Sequence, residues 1–313
     1  MSGAAGDPLT EALRRVRDDR EHGASWLARQ AAQALAEASA TSDVDDTAGR
    51  LQRIHQAARD FAAARPSMAA LANTAARIWY PATQGAGQPG ETLQALQTLH
   101  SEAQRLLDTW EHAADAIADA ASPLLGEALY TFSRSGTVEH VLYWLARDGR
   151  LHRVIVGESH PGDEGRTLAQ SLAAQGIAVT LITDAACGVY LREASAVVIG
   201  ADSVRADGAV VNKIGSYALA LMAGDQRIPV YALCETLKIA APSFPLTFEE
   251  MDVRELLPEP VVGVTVHNPY FERVPARLIN GVITEVGMLD AAAIAHYAEQ
   301  AETALHALMD ERS

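Results

Sequence analysis

Residues 128–157 read "ALYTFSRSGTVEHVLYWLARDGRLHRVIVG", in which two apolar, β-branched runs flank a segment with helical periodicity. The first run, "ALYTF" (128–132), ends in a small polar turn, and the second, "RVIVG" (153–157), follows the helical segment. A strand, a helix and a second strand in this order predict a βαβ unit with parallel strands and a right-handed crossover. This stretch therefore predicts an α/β fold.

The same alternation continues toward the C-terminus in three further apolar runs, with helical stretches between them: 178–183, 196–200 and 229–234. The repeat predicts a doubly wound parallel sheet. Beyond it, the pattern predicts a strand at "VVGVTVHN" (261–268), a loop at "PYFERVPARLI" (269–279), a short strand and a final helix from about residue 289.

The N-terminal part of the chain lacks this alternation. Residues 1–125 carry alanine-rich apolar positions at helical spacing, interrupted at Gly23 and by the loop "PATQGAGQPG" (81–90), and include one long amphipathic segment at 91–121. We therefore expect an all-helical N-terminal domain over residues 1–125, followed by an α/β domain over residues 126–313.

Composition excludes several classes of protein. The net charge of −15 is dispersed, and no basic patch with interleaved aromatics indicates nucleic-acid binding. No apolar run reaches about 18 residues and the N-terminus shows no apolar signal region, which predicts neither a membrane span nor secretion. Only Cys187 and Cys234 occur, as is typical of the reducing cytoplasm. Dinucleotide and P-loop fingerprints and metal-ligand spacings are absent from the sequence, so we expect no cofactor and no metal.

Lysine is rare in this chain, since only Lys213 and Lys238 occur among 25 basic residues. A lysine retained where arginine serves elsewhere indicates a need for a compact ammonium, or it persists by chance. Lys213 lies just before a predicted helix start at Gly215-Ser216, and this combination is typical of an anion site.

Polar residues follow every predicted strand of the sheet. Ligands of open α/β sheets bind beyond the carboxyl ends of the strands, so these turns predict a site for a polar small molecule. The turns are Ser133–Thr137, Glu158–Gly162, Thr183-Asp184, Gly200–Asp202 and Cys234–Thr236.

Two of these turns have alternative interpretations. "SRSGT" (133–137) either holds a phosphate with backbone N–H groups around Ser135 and Gly136 or forms an ordinary helix cap. Asp202 is suited to proton transfer on a sugar carbon or hydroxyl beside Lys213, or it caps a loop.

Four segments together resemble a known family: "ESHPGDEGRTLAQSLAAQGIAVTLITDAACGVYL", "GADSVRADGAVVNKIGSYALALMA", "PVYALCETLKI" and "NPYFERVPARLINGVITEVG". The family holds the alpha, beta and delta subunits of eukaryotic initiation factor 2B, ribose-1,5-bisphosphate isomerase and methylthioribose-1-phosphate isomerase. The resemblance implies a Rossmann-like C-terminal domain, assembly into a homodimer or higher homo-oligomer, and a site for a phosphorylated sugar or nucleotide-derived metabolite. In the isomerases, a cysteine after the first strand and the aspartate of "GAD" carry the conversion.

The resemblance assigns the catalytic positions to Ser133 and Asp202. It places substrate-binding roles on eight residues: His22, Ser135, Gly136, Glu158, His160, Glu164, Asn212 and Lys213.

Departures from the family pattern fall on one side of the site. Ser133 replaces the cysteine, His160 and His22 replace arginines, and Glu164 replaces a phosphate-binding glutamine. Serine is a far weaker acid than a thiol, so it cannot take over the same proton transfer. We therefore expect a single phosphate, near "SRSGT" and Lys213, rather than a bisphosphate.

Three functions are compatible with this pattern. The first is an aldose–ketose isomerase of altered specificity, favoured by Asp202, Asn212 and Lys213. The second is a non-catalytic regulatory subunit that senses a phosphorylated metabolite, favoured by Ser133. The third is a dimeric protein with a relic pocket.

Overall fold

The computed structural model describes residues 7–20, 22–40, 46–84, 91–248 and 250–310. The chain forms two compact units, the first from Met1–His112, Leu237–Pro245 and His296–Ser313, the second from Ala113–Thr236 and Leu246–Ala295. Each unit thus contains separate stretches of sequence, whereas the sequence prediction placed one boundary after residue 125.

Helices make up most of the described residues of the first unit, while its segment 239–245 forms no helix. Its helices are α1 (Pro8–Asp18), α2 (Ala24–Ser39), α3 (Thr47–Ala63), α4 (Ala69–Thr83) and the first part of α5 (Glu91–Ala121). Apolar residues at helical spacing on α2, such as Leu27, Ala31 and Leu35, form the buried face of this helix. The predicted loop at 81–90 begins instead with the end of α4, and its residues 85–90 lie outside the described part of the chain.

The second unit contains the strands predicted from the sequence. Its elements after α5 are β1 (Ala128–Thr131), α6 (Gly136–Arg147), β2 (Arg153–Gly157), α7 (Glu164–Ala174), β3 (Ala178–Ile182), α8 (Cys187–Tyr190), β4 (Ala196–Ile199), β5 (Ser203–Val204), β6 (Val210–Lys213), α9 (Ser216–Asp225), β7 (Val230–Leu233), β8 (Phe271–Val274), β9 (Gly281–Thr284), β10 (Gly287–Leu289) and α10 (Ala291–Met309), whose last part belongs to the first unit.

Seven strands form the main sheet in the order β10-β9-β7-β4-β1-β2-β3, and only β10 runs antiparallel to its neighbour. The chain builds outward in one direction through β1, β2 and β3, and in the other through β4 and β7. This reversal confirms the doubly wound α/β fold and makes the crevice beyond β1 and β4 the expected ligand position.

The core of this unit lies between the sheet and the helices. Leu129, Val154 and Val198 on neighbouring strands pack with Val141 and Leu168 on α6 and α7, and all five side chains are at most 1% exposed. Such residues make near-continuous apolar runs, because parallel strands are covered on both faces. This is why the strand positions were visible in the sequence.

A second, antiparallel sheet has the order β5-β6-β8. It corrects two sequence predictions, since β8 lies in the segment 269–279 that was predicted as a loop, and 261–268 forms no strand. The valines at 261, 262 and 264 are exposed by 51%, 103% and 53%, and Gly263 has a φ of +84°. High β-propensity alone did not produce a strand there, and no strand of the described residues pairs with the segment.

Candidate functional site

The turns after β1 and β4 meet at the switch point of the sheet. A Cβ on Gly200 would lie 2.6 Å from Cβ of Ser135 and 3.9 Å from Oδ1 of Asn212. Glycine is required here because the two turns approach too closely for any side chain at residue 200. Ser135, Gly200 and Asn212, predicted from three different segments, are therefore brought together.

Helix α6 begins directly after Ser135, so its N-terminus lies at the switch point. The Ser135 hydroxyl accepts the Val138 N–H at 3.4 Å, whereas the N–H groups of Gly136 and Thr137 donate to no group in the described part of the chain. Unpaired N–H groups and the helix dipole together favour an anion. Arg134 lies beside this turn, where Nε donates to Glu139 Oε2 at 3.1 Å.

Ser133 has a left-handed backbone with φ +63°. Its N–H donates to Oγ of the fully buried Ser159 at 2.6 Å, and that hydroxyl donates in turn to the Gly157 carbonyl at 3.0 Å. The turn after β1 is thus fixed to the turn after β2 by one hydroxyl. Ser159 lies in the predicted polar turn 158–162, but nothing in the sequence singled it out, because serine in a loop carries no distinguishing signal.

Asp184, after β3, holds the turn that follows β2. Its two carboxylate oxygens accept the N–H groups of Ser159 and His160, each at 2.8 Å. Burial raises the pKa of Asp184, and the two N–H donors oppose that shift. The carboxylate therefore positions the loop 158–163.

We expect the substitution Asp184→Ala to lower the free energy of unfolding by about 3 kcal/mol, because two charge-assisted hydrogen bonds are lost from a half-buried turn. Asp184→Asn should lose less, since its carboxamide oxygen still accepts one N–H. Urea unfolding midpoints measure both variants. An alanine variant as stable as the wild type would show that the turn holds its conformation without Asp184.

Two residues predicted to bind substrate, Glu158 and His160, pair with side chains of the chain at and just before α7. Glu158 Oε2 accepts from Arg166 Nη2 at 2.7 Å. His160 is exposed, and its Nδ1 lies 3.3 Å from Oδ1 of Asp163. Their roles in binding stay predictions.

Lys213 is the last residue of β6, and only 2% of it is exposed. Its ammonium donates to the Pro161 carbonyl and to Glu164 Oε1 at 2.8 Å, and it lies 3.4 Å from the ring centroid of Tyr270. Burial lowers the pKa of Lys213, and the Glu164 carboxylate opposes that effect. Lys238 is also buried, at 4% exposure, so both lysines lie where a long charged side chain is uncommon.

The helix after Lys213 begins at Ser216, as the sequence predicted, but its N-terminus is already capped. Glu272 on β8 accepts the N–H groups of Gly215 at 2.6 Å and Tyr217 at 2.9 Å. Glu272 and Tyr270 were missed because their segment was predicted as a loop. The segment Phe271-Glu272-Arg273-Val274 places two polar residues between two apolar ones, so it lacks the strict alternation that indicates a strand.

Asp202 directly precedes β5, and Asn212 lies in β6, the strand that pairs with β5. The Asp202 N–H donates to the Val211 carbonyl at 2.8 Å, and Asn212 Nδ2 donates to Ser216 Oγ at 2.9 Å. The Asp202 carboxylate lies near enough to Lys213 to favour its ammonium form, and so it opposes the lowering of the Lys213 pKa by burial. An acid, an amide and an ammonium thus occupy one region of the second unit.

His22 belongs to the first unit. It stacks on Trp26 with ring centroids 3.8 Å apart, and its Nδ1 lies 2.8 Å from Oδ2 of Asp19. The binding role that the sequence predicted for His22 remains a prediction.

Comparison with known proteins identifies relatives along nearly the whole chain. The model of the initiation factor 2 subunit family matches residues 20–291. A ribose 1,5-bisphosphate isomerase from Methanocaldococcus jannaschii is 28% identical over 291 residues, which cover 90% of this chain and 92% of the relative.

Two solved structures are similar as well. The translation initiation factor eIF-2B of Pyrococcus horikoshii is 31% identical with a TM-score of 0.76, over 91% of this chain and 98% of the other. The 5-methylthioribose 1-phosphate isomerase of the same organism shares the fold, at 22% identity and a TM-score of 0.73, over 94% and 87% of the two chains.

Proposed function

Because the chain belongs to the initiation factor 2 subunit family, we propose that it binds a phosphorylated sugar and interconverts its aldose and ketose forms. The observation that carries this proposal is the N-terminus of α6, whose Gly136 and Thr137 N–H groups have no acceptor among the described residues, at the same switch point as the turn that leads to Asp202. The relative named ribose 1,5-bisphosphate isomerase supports this chemistry.

In this proposal Asp202 moves the proton. Conversion of an aldose to a ketose transfers a hydrogen from C2 to C1, while the hydroxyl proton on C2 passes to the carbonyl oxygen. The Asp202 carboxylate takes the proton from C2 and returns it to C1, and Asn212 orients a sugar hydroxyl. Ser133 donates a hydrogen bond to the substrate without acting as the acid, because its hydroxyl stays protonated at neutral pH.

A non-catalytic regulatory role is the second candidate, and Ser133 is the observation that favours it. With a serine in place of a thiol, the site keeps its binding groups and loses one proton-transfer group. The similarity to the P. horikoshii translation initiation factor eIF-2B fits this alternative. A regulator would bind the same phosphorylated metabolite and leave it unchanged.

Ligand-induced stabilisation followed by product analysis separates these functions. Sugar phosphates and nucleoside monophosphates are added in a thermal-shift panel, where a bound ligand raises the melting temperature. NMR of the incubated mixtures then detects conversion. Isomerisation is expected; stabilisation without conversion would select the regulator, and no stabilisation by any ligand would favour a relic pocket.

The homo-oligomer implied by the sequence and its cytoplasmic location stay proposals. The described part of the chain includes no helix both long and apolar enough to span a membrane.

A further inference from the structure

A cavity of about 550 Å³ lies in the first unit, between helices α1, α2 and α3. One face of each helix lines it. On α3, for example, the lining residues are Arg50, Arg53 and Ile54, which are spaced three and four positions apart. None of the described residues around the cavity is among those predicted to bind substrate, so the cavity is a separate feature of the chain.

The cavity has an apolar base and a polar rim. The side chains of Ala12, Ala34 and Ile54 line it and are at most 8% exposed, whereas Arg15 and Arg53 are exposed. Small-molecule sites combine these two features, because apolar surface holds the body of a ligand while a few polar groups orient it.

The arginines at the cavity lack strong partners. Neither Arg15 nor Arg50 donates a side-chain hydrogen bond to any described residue, although Arg15 interacts electrostatically with Glu11. Arg53 reaches Asp46 at 3.4 Å, but the two side chains are 61% and 66% exposed, which makes the ion pair weak.

Arg50 is the most unusual of these arginines. Its Nη1 atom is shielded from solvent and has no hydrogen-bond partner among the described residues. A shielded N–H without an acceptor costs free energy, and more so when the group is charged. A residue that destabilises the chain by itself is typical of a binding site, where the missing acceptor comes from a ligand.

Three acids also line the cavity, but each already has a hydrogen-bond partner. Asp7 caps the N-terminus of α1. Glu11 accepts two N–H groups of Arg14, at 2.8 and 3.1 Å, and Glu37 accepts the Gln33 amide at 3.1 Å. The charged groups of the described lining that still lack hydrogen-bond partners are therefore guanidinium groups.

The chemistry of these groups indicates the class of ligand. The planar fork of a guanidinium matches phosphate and carboxylate oxygens, which accept two parallel N–H bonds from it. Arg50 and Arg53 lie on the same face of α3, and Arg15 lines the same cavity from α1. Three guanidinium groups around one cavity favour an anion with two charges over one with a single charge.

We infer that this cavity binds a small organic molecule whose doubly charged oxyanion group, a phosphate ester or a dicarboxylate, accepts hydrogen bonds from Arg50. The carbon chain of the ligand lies on the apolar base. Such a ligand would connect α1 to α3 and stabilise the first unit by mass action. The inference goes beyond the proposed function and does not depend on it.

Isothermal titration of the full chain with butyl phosphate, glutarate and inorganic phosphate, at constant ionic strength, tests the inference. The wild type should bind butyl phosphate or glutarate with a dissociation constant below about 1 mM. The tighter of these two probes distinguishes a phosphate ester from a dicarboxylate. Inorganic phosphate should bind about threefold or more weakly than butyl phosphate, because it leaves the apolar base uncovered.

Arg50→Met removes the guanidinium and keeps a long, flexible side chain. Binding of the preferred probe should weaken by about tenfold or more, because charge-assisted hydrogen bonds are lost. The melting temperature of the ligand-free variant should equal or exceed that of the wild type, since the substitution removes a shielded N–H that has no acceptor.

Arg105→Met is the matched control. Arg105 lies on α5 in the same unit, pairs with Glu102 at 2.7 Å and does not line the cavity. This variant removes the same charge and should leave the affinity for each probe unchanged.

Each contrary result would overturn the inference for a different reason. Absence of binding by all three probes would show that the cavity does not take this class of anion. Equal affinities in the wild type and Arg50→Met would place the probes elsewhere in the chain, and an equal loss in Arg105→Met would show a general effect of charge. A lower melting temperature of ligand-free Arg50→Met would show that the chain itself uses the guanidinium. None of these results bears on the isomerisation assay.

Discussion

Replacing Gly165 by alanine is expected to destabilise the second unit severely. Gly165 lies in the first turn of α7, and a Cβ there would lie 1.8 Å from the carbonyl oxygen of Gly157 and 2.9 Å from Oγ of Ser159. The obstructing group is backbone at the end of β2, so relief requires α7 to move away from the sheet. We expect a loss of about 3 kcal/mol or more in the free energy of unfolding, the upper end of the range for overpacked cores.

Gly224→Ala provides the matched control for this substitution. Gly224 is also helical, lies near the end of α9, and has no heavy atom within 4 Å of the position of a Cβ. Alanine there should stabilise the protein by up to about 1 kcal/mol, because it restricts the unfolded chain. Urea denaturation of both variants measures the difference. Equal midpoints for Gly165→Ala and the wild type would contradict the close approach of α7 to β2.

The main sheet was predictable because its signal is local. Strand β2 has the predicted bounds 153–157, and its residues 154–156 are fully buried, so burial on both faces left a continuous apolar run in the sequence. The polar turns at Ser135 and Asp202 followed from the same reasoning, since the carboxyl ends of parallel strands share one edge.

The charge balance of the site was not predictable, because it depends on contacts between distant residues. Lys213 pairs with Glu164, and the N–H of Gly215 with Glu272, across 49 and 57 positions of sequence. A lysine before a helix looks the same whether its partner is a ligand phosphate or a carboxylate of the chain. The short strand β8 was missed for a related reason, since four residues supply little periodicity.

Asp202→Asn is the substitution expected to have the largest effect on catalysis. Asparagine keeps the size and most of the hydrogen bonding of aspartate, but it cannot accept and return a proton. If Asp202 transfers the proton between C2 and C1, turnover should fall by about 10²–10⁴-fold. The dissociation constant of the sugar phosphate should stay within about threefold of the wild type, since the proposed phosphate position at α6 is unchanged.

Ser133→Ala distinguishes the role of Asp202 from a general loss of site geometry. The backbone N–H of residue 133, which bonds Ser159, is retained in this variant, and only the hydroxyl is removed. Because that hydroxyl is proposed to donate a hydrogen bond and not a proton, turnover should fall by less than about tenfold. Single-turnover rates and ligand dissociation constants measured on both variants make the comparison. Retained turnover in Asp202→Asn would refute the assignment of the proton to Asp202, and an equal loss in Ser133→Ala would move that assignment to the turn after β1.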